Sequence, residues 1–353
     1  MLPKTTTSPS NLIKHLGPLT LILGGVLIIM ILFCSSIGYI SIPYSVTFKI
    51  ILSKILQKQE LLEGINKTYT YVVLDVRLPR VISAVLIGMG LSTAGVVFQG
   101  ILLNPLADPY TLGISAGSAF GASIAIVFNI LGASYCVPLF AFVGAILTLV
   151  VVILLSLSNG TISSNNLILS GVIITAILSA GISFMKFIAD EHVSVIIFWL
   201  MGSLTSKSWN DVALAFSFVV SGFWICFFLA KDLNLLALGD TTAKSLGVNT
   251  TLIRIVLLVT ASLITAICVS ISGIIGFVGL IVPHLMRFIT GADNIKLMPP
   301  SAIAGGILLL GADTITRTVL PTEIPIGVLT ALIGGPIFCL IFKRKQKMTY
   351  HNG

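Results

Sequence analysis

A long stretch of the chain, from Gly88 to Met185, contains one charged side chain, that of Asp108. A water-facing domain carries about 25% charged residues, so this stretch cannot form the surface of one. A helix needs about 20 apolar residues to cross a bilayer core of about 30 Å, and the stretch has room for about four such helices. The sequence therefore predicts an all-α polytopic membrane protein.

The rest of the chain has the same character, with 56% hydrophobic and 9% charged residues among 353. The apolar runs are continuous, whereas a membrane β-barrel has short segments of alternating polarity. The first run, Leu16 to Ile40, is longer than the core of a secretory signal and lacks a clear cleavage site, so we interpret it as a span. About ten transmembrane helices are predicted, over residues 17–39, 80–101, 112–131, 137–157, 166–188, 208–230, 255–273, 276–290, 299–312 and 324–342.

The positive charge bears on orientation. An even number of spans places both termini on one side, and the cluster after residue 342 (Lys343, Arg344, Lys345 and Lys347) indicates the cytoplasm. Such a cluster is typical of contact with anionic membrane lipid, and nucleic acid is not expected as a partner. We therefore expect a cytoplasmic tail over 1–16, a transmembrane domain over 17–342 and a cytoplasmic tail over 343–353. The basic residues of the loop 41–79, which this topology places outside, conflict with the rule.

No metal or disulfide chemistry is expected. The five cysteines lie singly in apolar runs, with no C-x-x-C pair and no clustered histidines. We interpret them as small apolar residues. Three glycines spaced by four, Gly113, Gly117 and Gly121, allow two helix backbones to approach closely. Packing within the chain is favoured over a subunit interface as their role.

Residues 238–248, "LGDTTAKSLGV", resemble an incomplete phosphate-binding loop. Such a loop requires a glycine directly before the lysine, because its backbone amides surround the phosphates, and Ala243 stands there. A nucleotide site is therefore excluded. Residues 241–247 favour a short helix with Asp240 as its N-cap. The polar segment 231–253 is interpreted either as a docking surface for a cytoplasmic partner or as a plain connecting loop.

Two arginines flank a proline at the entrance to the second predicted span, in "DVRLPR". Arg77 and Arg80 either extend along the apolar surface to the interface or form a cationic patch for the carboxylates of an outside partner. Arg317, in another predicted outward loop, would join this patch.

Four blocks of the chain occur in an order typical of one transport family. Together they resemble the membrane subunit of the ABC importers for ferric siderophores, haem and cobalamin, over roughly residues 70–342. The resemblance implies the type II ABC importer permease fold. The blocks begin with RLPRVISAVLIGMGLSTAGVVFQGILLNPLADPYTLGISAGSAFGA and continue with LGDTTAKSLGVN, GFVGLIVPHLMRFITGADN and PTEIPIGVLTALIGGPIFCLIF.

The resemblance assigns roles by motif position. It implies a coupling segment, about 231–253, that contacts an ATPase, with a threonine at position 241 where the family usually has an acid. Docking to the extracellular binding protein would fall on Arg77, Arg80 and Arg317. The cytoplasmic gate would fall on Leu106, Ser164 and Asn165. The coupling residues would be Gly239, Asp240, Ala243, Ser245, Leu246 and Gly247.

The implied partners are two copies of an ABC ATPase, a second permease subunit (identical or related) and an extracellular binding protein. The chain itself would not be an enzyme and would hold no cofactor, because ATP and Mg²⁺ would be bound by the ATPase. The expected location is a bacterial plasma membrane. The cargo stays open among ferric siderophore, haem and cobalamin.

The main alternative is an ion-coupled secondary transporter. That class needs charged groups or broken helices near the middle of the membrane. Here the charged candidates fall at predicted span ends, namely Asp108, Asp313, Arg317 and Glu323. A channel or an intramembrane enzyme is less favoured, because no filter-like repeat, charged ring or nucleophile–base pair is evident.

Overall fold

The computed structural model describes residues 17–38, 40–130, 136–158, 161–319 and 322–351. All ten predicted spans form helices, of which seven are long and apolar enough to cross a membrane and three are shorter. The predicted tail over 1–16 lies outside the described residues. The elements in chain order are α1 (Pro18–Ser36), α2 (Tyr44–Leu56), α3 (Lys67–Ile101, π-helical over Val72–Arg77), α4 (Ile114–Val127), α5 (Cys136–Ser156), β1 (Leu157–Ser158), β2 (Thr161–Ile162), α6 (Ser164–Ile188), α7 (Val193–Leu200), α8 (Trp209–Phe228), α9 (Ala230–Leu236), α10 (Asp240–Ser245), α11 (Thr250–Ser272), α12 (Val278–Thr290), α13 (Asn294–Thr318) and α14 (Ile326–His351).

Helix α3 lies at the centre of the bundle and packs against α8, α11, α12 and α13. Of its apolar stretch 89% is buried, compared with 22% in α1 and in α6, which lie at the periphery. Its contact with α13 is formed by backbone, because a Cβ atom on Gly88 would lie 2.7 Å from the carbonyl carbon of Gly305. Small residues therefore set the distance between these two helices.

The glycines spaced by four pack within the chain, as predicted: Gly113, the N-cap of α4, faces α6, whereas Gly117 and Gly121 in α4 face α5. A Cβ atom on Gly117 would lie 2.6 Å from the carbonyl oxygen of Gly144 in α5, and one on Gly121 would lie still closer to the carbonyl oxygen of Phe140. The spacing thus brings α4 and α5 into backbone contact.

Several helices extend beyond the predicted spans, and the helix of the second span already begins at Lys67. The span 299–312 begins earlier in the structure, at Asn294, where the side chain of Asp293 accepts a hydrogen bond from the amide of Ile295 at 3.0 Å. It also extends to Thr318, so Asp313 and Arg317 lie inside α13 and not in a loop. The last helix does not end at 342 but continues to residue 351, because its lysines, arginine and glutamine are good helix formers.

Strands β1 and β2 form a two-residue antiparallel hairpin between α5 and α6, in which Leu157 pairs with Ile162. Ser163 then caps α6 by accepting a hydrogen bond from the amide of Asn166 at 3.2 Å. The chain thus turns sharply before α6, in the region that carries two of the predicted gate residues.

Candidate functional site

The predicted coupling segment, residues 231–253 and called the coupling segment below, consists of α9, α10 and the entry to α11. The predicted short helix forms, but Asp240 is its first residue and not its N-cap. Gly239 is the cap, with φ +98° and ψ 154°, and Gly247 after the helix has φ +84°. Residues other than glycine are strained in both conformations, so these two glycines determine where α10 begins and ends.

One face of α10 is anchored and the other is exposed. Ala243 is fully buried, whereas Ser245 is exposed. Leu238 and Leu246, which bracket the helix, are 61% and 58% exposed. Two large apolar side chains are thus exposed on an otherwise polar segment.

The carboxylate of Asp240 is bound by the guanidinium of Arg254 in α11. Its Oδ1 lies 2.7 Å from Nη2 of Arg254, and its Oδ2 lies 3.3 Å from Nη1. The same Nη1 donates a hydrogen bond to the carbonyl oxygen of Ile162 in β2. Sequence analysis did not predict this role for Arg254. The signal available in the sequence was a basic residue 14 positions after Asp240, near the start of the next span.

A second set of polar contacts fastens the base of the coupling segment. The side-chain amide of Asn234 in α9 donates to Oδ1 of Asp293 at 2.8 Å, and its oxygen accepts from the backbone amide of Asn294 at 2.9 Å. These contacts join α9 to the start of α13. Sequence analysis did not single out these three residues.

The predicted gate residues lie at the same end of the bundle. Leu106 is 43% exposed in the turn after α3, where its amide donates to Oδ1 of Asn104 at 2.9 Å. The hydroxyl of Ser164 donates to the carbonyl oxygen of Ile101 at 2.7 Å, which joins the start of α6 to the end of α3. Asn165 is exposed.

The three predicted docking arginines lie together near the other end of α3, Arg77 and Arg80 in α3 itself and Arg317 in α13. Arg80 and Ile101 are separated by 21 positions of one helix, which corresponds to about 30 Å at 1.5 Å per residue. That distance matches the thickness of a bilayer core. The coupling segment and the arginines therefore lie at opposite ends of the bundle.

These arginines do not form an open cationic patch, because their side chains have partners within the chain. Nε of Arg80 lies 2.9 Å from Oδ1 of Asp313, and its Nη1 lies 2.9 Å from Oε1 of Glu323. Arg317 lies 3.2 Å from the other oxygen of Asp313 and donates to the carbonyl oxygen of Ile37 at 3.0 Å.

Arg77 is 5% exposed and donates to the carbonyl oxygens of Ser35, at 3.3 Å, and Ser36, at 2.6 Å. The end of α1 thus supplies acceptors that a buried guanidinium requires. Sequence analysis missed this contact because α1 and Arg77 lie far apart in the chain. Together Arg77, Arg80, Arg317, Asp313 and Glu323 form what we call the arginine cluster.

Glu323 is the most exposed member of this cluster, with a side chain 45% exposed. Partial burial acts to raise the pKa of its carboxyl, but the hydrogen bond and charge of Arg80 outweigh it, so the pKa lies below its usual range. Oε2 also accepts a hydrogen bond from the hydroxyl of Thr205 at 2.9 Å. A cavity of about 170 Å³, lined by these residues and Asp313, opens beside Arg80.

An apolar cavity of about 540 Å³ lies between α7, α14 and the link from α11 to α12. Its wall carries no charged side chain. The lining residues are Leu200, Met201, Ile274, Gly276, Phe277, Gly327, Val328, Ala331 and Leu332.

This multi-pass helical bundle, with a short exposed helix between two spans at one end and a charged cluster at the other, has the architecture of a membrane permease. A family profile described as the FecCD transport family matches residues 26–344. The chain belongs to this family and is a permease subunit of the ABC importer type.

Known proteins agree with this assignment. The Fe(3+)-citrate import system permease protein YfmE of Bacillus subtilis (strain 168) is 39% identical over 289 residues, 80% of this chain and 86% of that protein. The cobalamin import system permease protein BtuC of Halobacterium salinarum is 38% identical over 283 residues, 80% of this chain and 76% of that protein.

A solved structure, described as an inward-facing conformation of a metal-chelate type ABC transporter, has the same fold. It is 34% identical, with a TM-score of 0.81 over 92% of this chain and 98% of that chain. The predicted type II ABC importer permease fold is therefore confirmed.

Proposed function

We propose that this chain forms half of the translocation path of an ATP-driven importer for a ferric chelate. The observation that carries the proposal is α10, a short helix held between two packed helices with Leu238 and Leu246 exposed on either side. An exposed apolar pair at the end of a membrane bundle suits docking to a separate ATPase. That ATPase, in two copies, would bind the ATP and Mg²⁺, and this chain would hold no cofactor.

The orientation follows from the same assignment. The ATPase is cytoplasmic, so the coupling segment is too. Helix α1 ends and α14 begins at the opposite end, since Ser36 contacts Arg77 and Ile326 bonds to Gly202 beside the arginine cluster. Both termini therefore belong on the cytoplasmic side of the plasma membrane.

An extracellular binding protein would deliver the cargo at the arginine cluster. Charge pairs across such an interface provide orientation and fast association more than affinity. The cavity beside Arg80 admits a carboxylate, which would compete with Glu323 for Nη1. Arg77 and Arg317, which bind the end of α1, would support this surface from beneath.

The path itself would lie between two permease subunits. Helix α6 is exposed along much of its length and starts at the predicted gate residues Ser164 and Asn165. The apolar cavity beside α7 and α14 gives the path a wall without strong ligands, which suits a carrier that must release its cargo. Leu106 would close this path at the cytoplasmic end together with the start of α6.

The nature of the cargo rests on relatives. The relatives described above are named for iron citrate and cobalamin. Ferric chelates, haem and cobalamin are alike in that each is a metal ion held in an organic ligand. We assign the ferric chelate as the first candidate.

Co-purification tests the coupling assignment. Gentle detergent extraction from native membranes should recover an ABC ATPase with the chain, and Leu246→Asp should abolish that recovery because a charge replaces the apolar contact. Leu103→Asp, another exposed leucine at the same end but outside the coupling segment, should retain the ATPase.

Reconstitution tests transport. In proteoliposomes whose complexes have the ATPase facing the lumen, a radiolabelled ferric chelate should accumulate in the lumen. This accumulation should require both ATP in the lumen and loaded binding protein in the outside solution. Uptake driven by a proton or sodium gradient without an ATPase would contradict the proposal and favour the ion-coupled alternative.

A further inference from the structure

Arg254 connects three elements at the cytoplasmic end. It belongs to the second turn of α11 and is 4% exposed. Its guanidinium binds both carboxylate oxygens of Asp240 in α10 and donates to the carbonyl oxygen of Ile162 in β2. One side chain thus contacts the coupling helix and the hairpin before α6 at the same time.

The chemistry of the group suits this bridging position. Arginine presents several N–H donors in a planar fork, so it can bind a carboxylate with two nitrogens and still donate to a third acceptor. Lysine carries the same charge on one nitrogen and cannot reproduce that geometry. A buried cation held on two sides also resists separation from either partner, because an unpaired charge is costly in a low-dielectric interior.

The hairpin leads directly to the predicted gate. Ile162 is followed by Ser163, whose side chain caps α6, and then by Ser164 and Asn165. Ser164 in turn donates to the carbonyl oxygen of Ile101 at the end of α3. A displacement of α10 that is carried to Ile162 therefore reaches the first turn of α6 within two or three residues.

We propose that Arg254 is a positioning residue that transmits the movement of α10 to the gate segment, residues 162–165. The proposal rests on the proposed function, since it requires an ATPase that moves α10. It assigns to Arg254 the mechanical link, while ATPase docking belongs to the exposed face of α10 on the other side. Loss of the link should leave docking intact and uncouple ATP hydrolysis from transport.

The test is the number of chelate molecules transported for each ATP hydrolysed by the reconstituted complex. Arg254→Lys keeps the charge and removes the fork, and the ratio should fall at least tenfold while ATPase recovery stays at the wild-type level. Arg287→Lys is the matched control, because Arg287 makes a local contact, at 3.5 Å, with the carbonyl oxygen of Ala292 just after the end of α12. Its ratio should equal that of the wild type.

A purely structural role for Arg254 would give a different result. Arg254→Lys would then lower the melting temperature and the yield, but the surviving complexes would transport with the wild-type ratio, and that outcome would overturn the proposal. Should Arg254→Lys fail to fold, Asp240→Asn breaks the charged arm alone and leaves the bond to Ile162. Its ratio should also fall, and an unchanged ratio there would equally overturn the proposal.

A distance measurement examines the link directly. Spin labels are attached to cysteines introduced at Asn165 and Lys244, which are both exposed, after the exposed Cys339 is replaced by serine. With Arg254 present, the distance between the labels should be the same with and without ATP. In Arg254→Lys the separation should change with nucleotide. If the wild-type chain recruits no ATPase, the proposed function fails; if it transports normally and the variant does too, only the role of Arg254 fails.

Discussion

Arg80 in α3 and Asp313 in α13 form a buried ion pair, with 2.9 Å between Nε and Oδ1. The side chain of Asp313 is 1% exposed, and Arg317 approaches its second oxygen. The pair joins the two most closely packed helices of the bundle at the end that we assign to the outside. Its partners lie 233 positions apart in the chain.

Asp313→Asn should be strongly destabilising. The substitution leaves two buried guanidinium groups without their shared carboxylate, and breaking a buried pair in this way costs about 3–5 kcal/mol. The measurement is thermal unfolding in detergent. Glu323→Gln, at the exposed arm of the same arginine, should cost only about 0–1 kcal/mol, and equal losses for the two variants would refute the distinction.

The contribution of Glu323 should depend on pH. Its carboxyl has a pKa below the ordinary value of 4.5 because Arg80 binds the charged form. A depressed pKa in the folded state stabilises the fold above the unfolded-state value, and that stabilisation is lost as the pH falls through the folded-state value. The difference in melting temperature between the wild type and Glu323→Gln should therefore be constant near neutrality and shrink below about pH 4.5.

The same carboxylate should act as an internal competitor for the binding protein. Because Glu323 occupies Nη1 of Arg80, Glu323→Gln should free that donor and increase the affinity for the binding protein several-fold at low salt. Surface plasmon resonance with the permease in nanodiscs measures this. Asp211→Asn, which changes a half-buried acid at the same end that forms the capping box of α8 with Ser208, serves as the charge-matched control, and an equal gain there would indicate a general charge effect.

Gly239→Ala should impair the coupling segment through backbone strain and without a steric clash. Nothing lies within 4 Å of a Cβ atom at this position, but the backbone has φ +98°, and such a conformation costs other residues about 1–3 kcal/mol. The start of α10 should shift and ATPase recovery should fall. Gly25→Ala in α1 also meets nothing within 4 Å and has no positive φ, so it should leave recovery unchanged.

Gly305→Ala should separate α3 from α13. A Cβ atom there would lie 2.5 Å from the Cβ atom of Ser92 and still closer to the backbone of Gly88, so the helices would have to move apart. Overpacking of this kind costs about 1–3 kcal/mol. Gly311→Ala lies on the same helix with its nearest neighbour at 3.7 Å, the methyl carbon of Met30, and should be tolerated. Unfolding of the two variants in detergent provides the comparison.

Much of this architecture could be predicted from the sequence because each span is a continuous apolar run. The predicted helix after Asp240 was also correct in place, since Gly239 and Gly247 delimit it. The prediction that Asp240 is the N-cap was wrong, because Gly239 is the N-cap and Asp240 is the first residue of the helix. The partners of Asp240 and Arg80 could not be predicted, since Arg254 and Asp313 reach them only through tertiary packing.

The boundaries of α13 show why local rules were insufficient. The predicted span began at residue 299, but Pro299 and Pro300 lie inside the helix and are buried, so packing against neighbouring helices overrides the preference of proline for a helix terminus. The three arginines lie at the end of the bundle opposite residues 231–253, but the predicted open patch was wrong, because their acceptors in α13, in the 319–325 link and at the end of α1 could not be recognised from the local sequence. Their role in docking stays a prediction.

The contact between Gly88 and Gly305 has a mechanical consequence. Where two backbones touch with no side chains between them, there are no rotamers whose exchange could accommodate sliding, so α3 and α13 are expected to move as one rigid body. The alternation of access must then be produced by helices that pack more loosely around this pair. Helix α6, peripheral and joined to the coupling segment through Ile162, is the element best placed to swing against it.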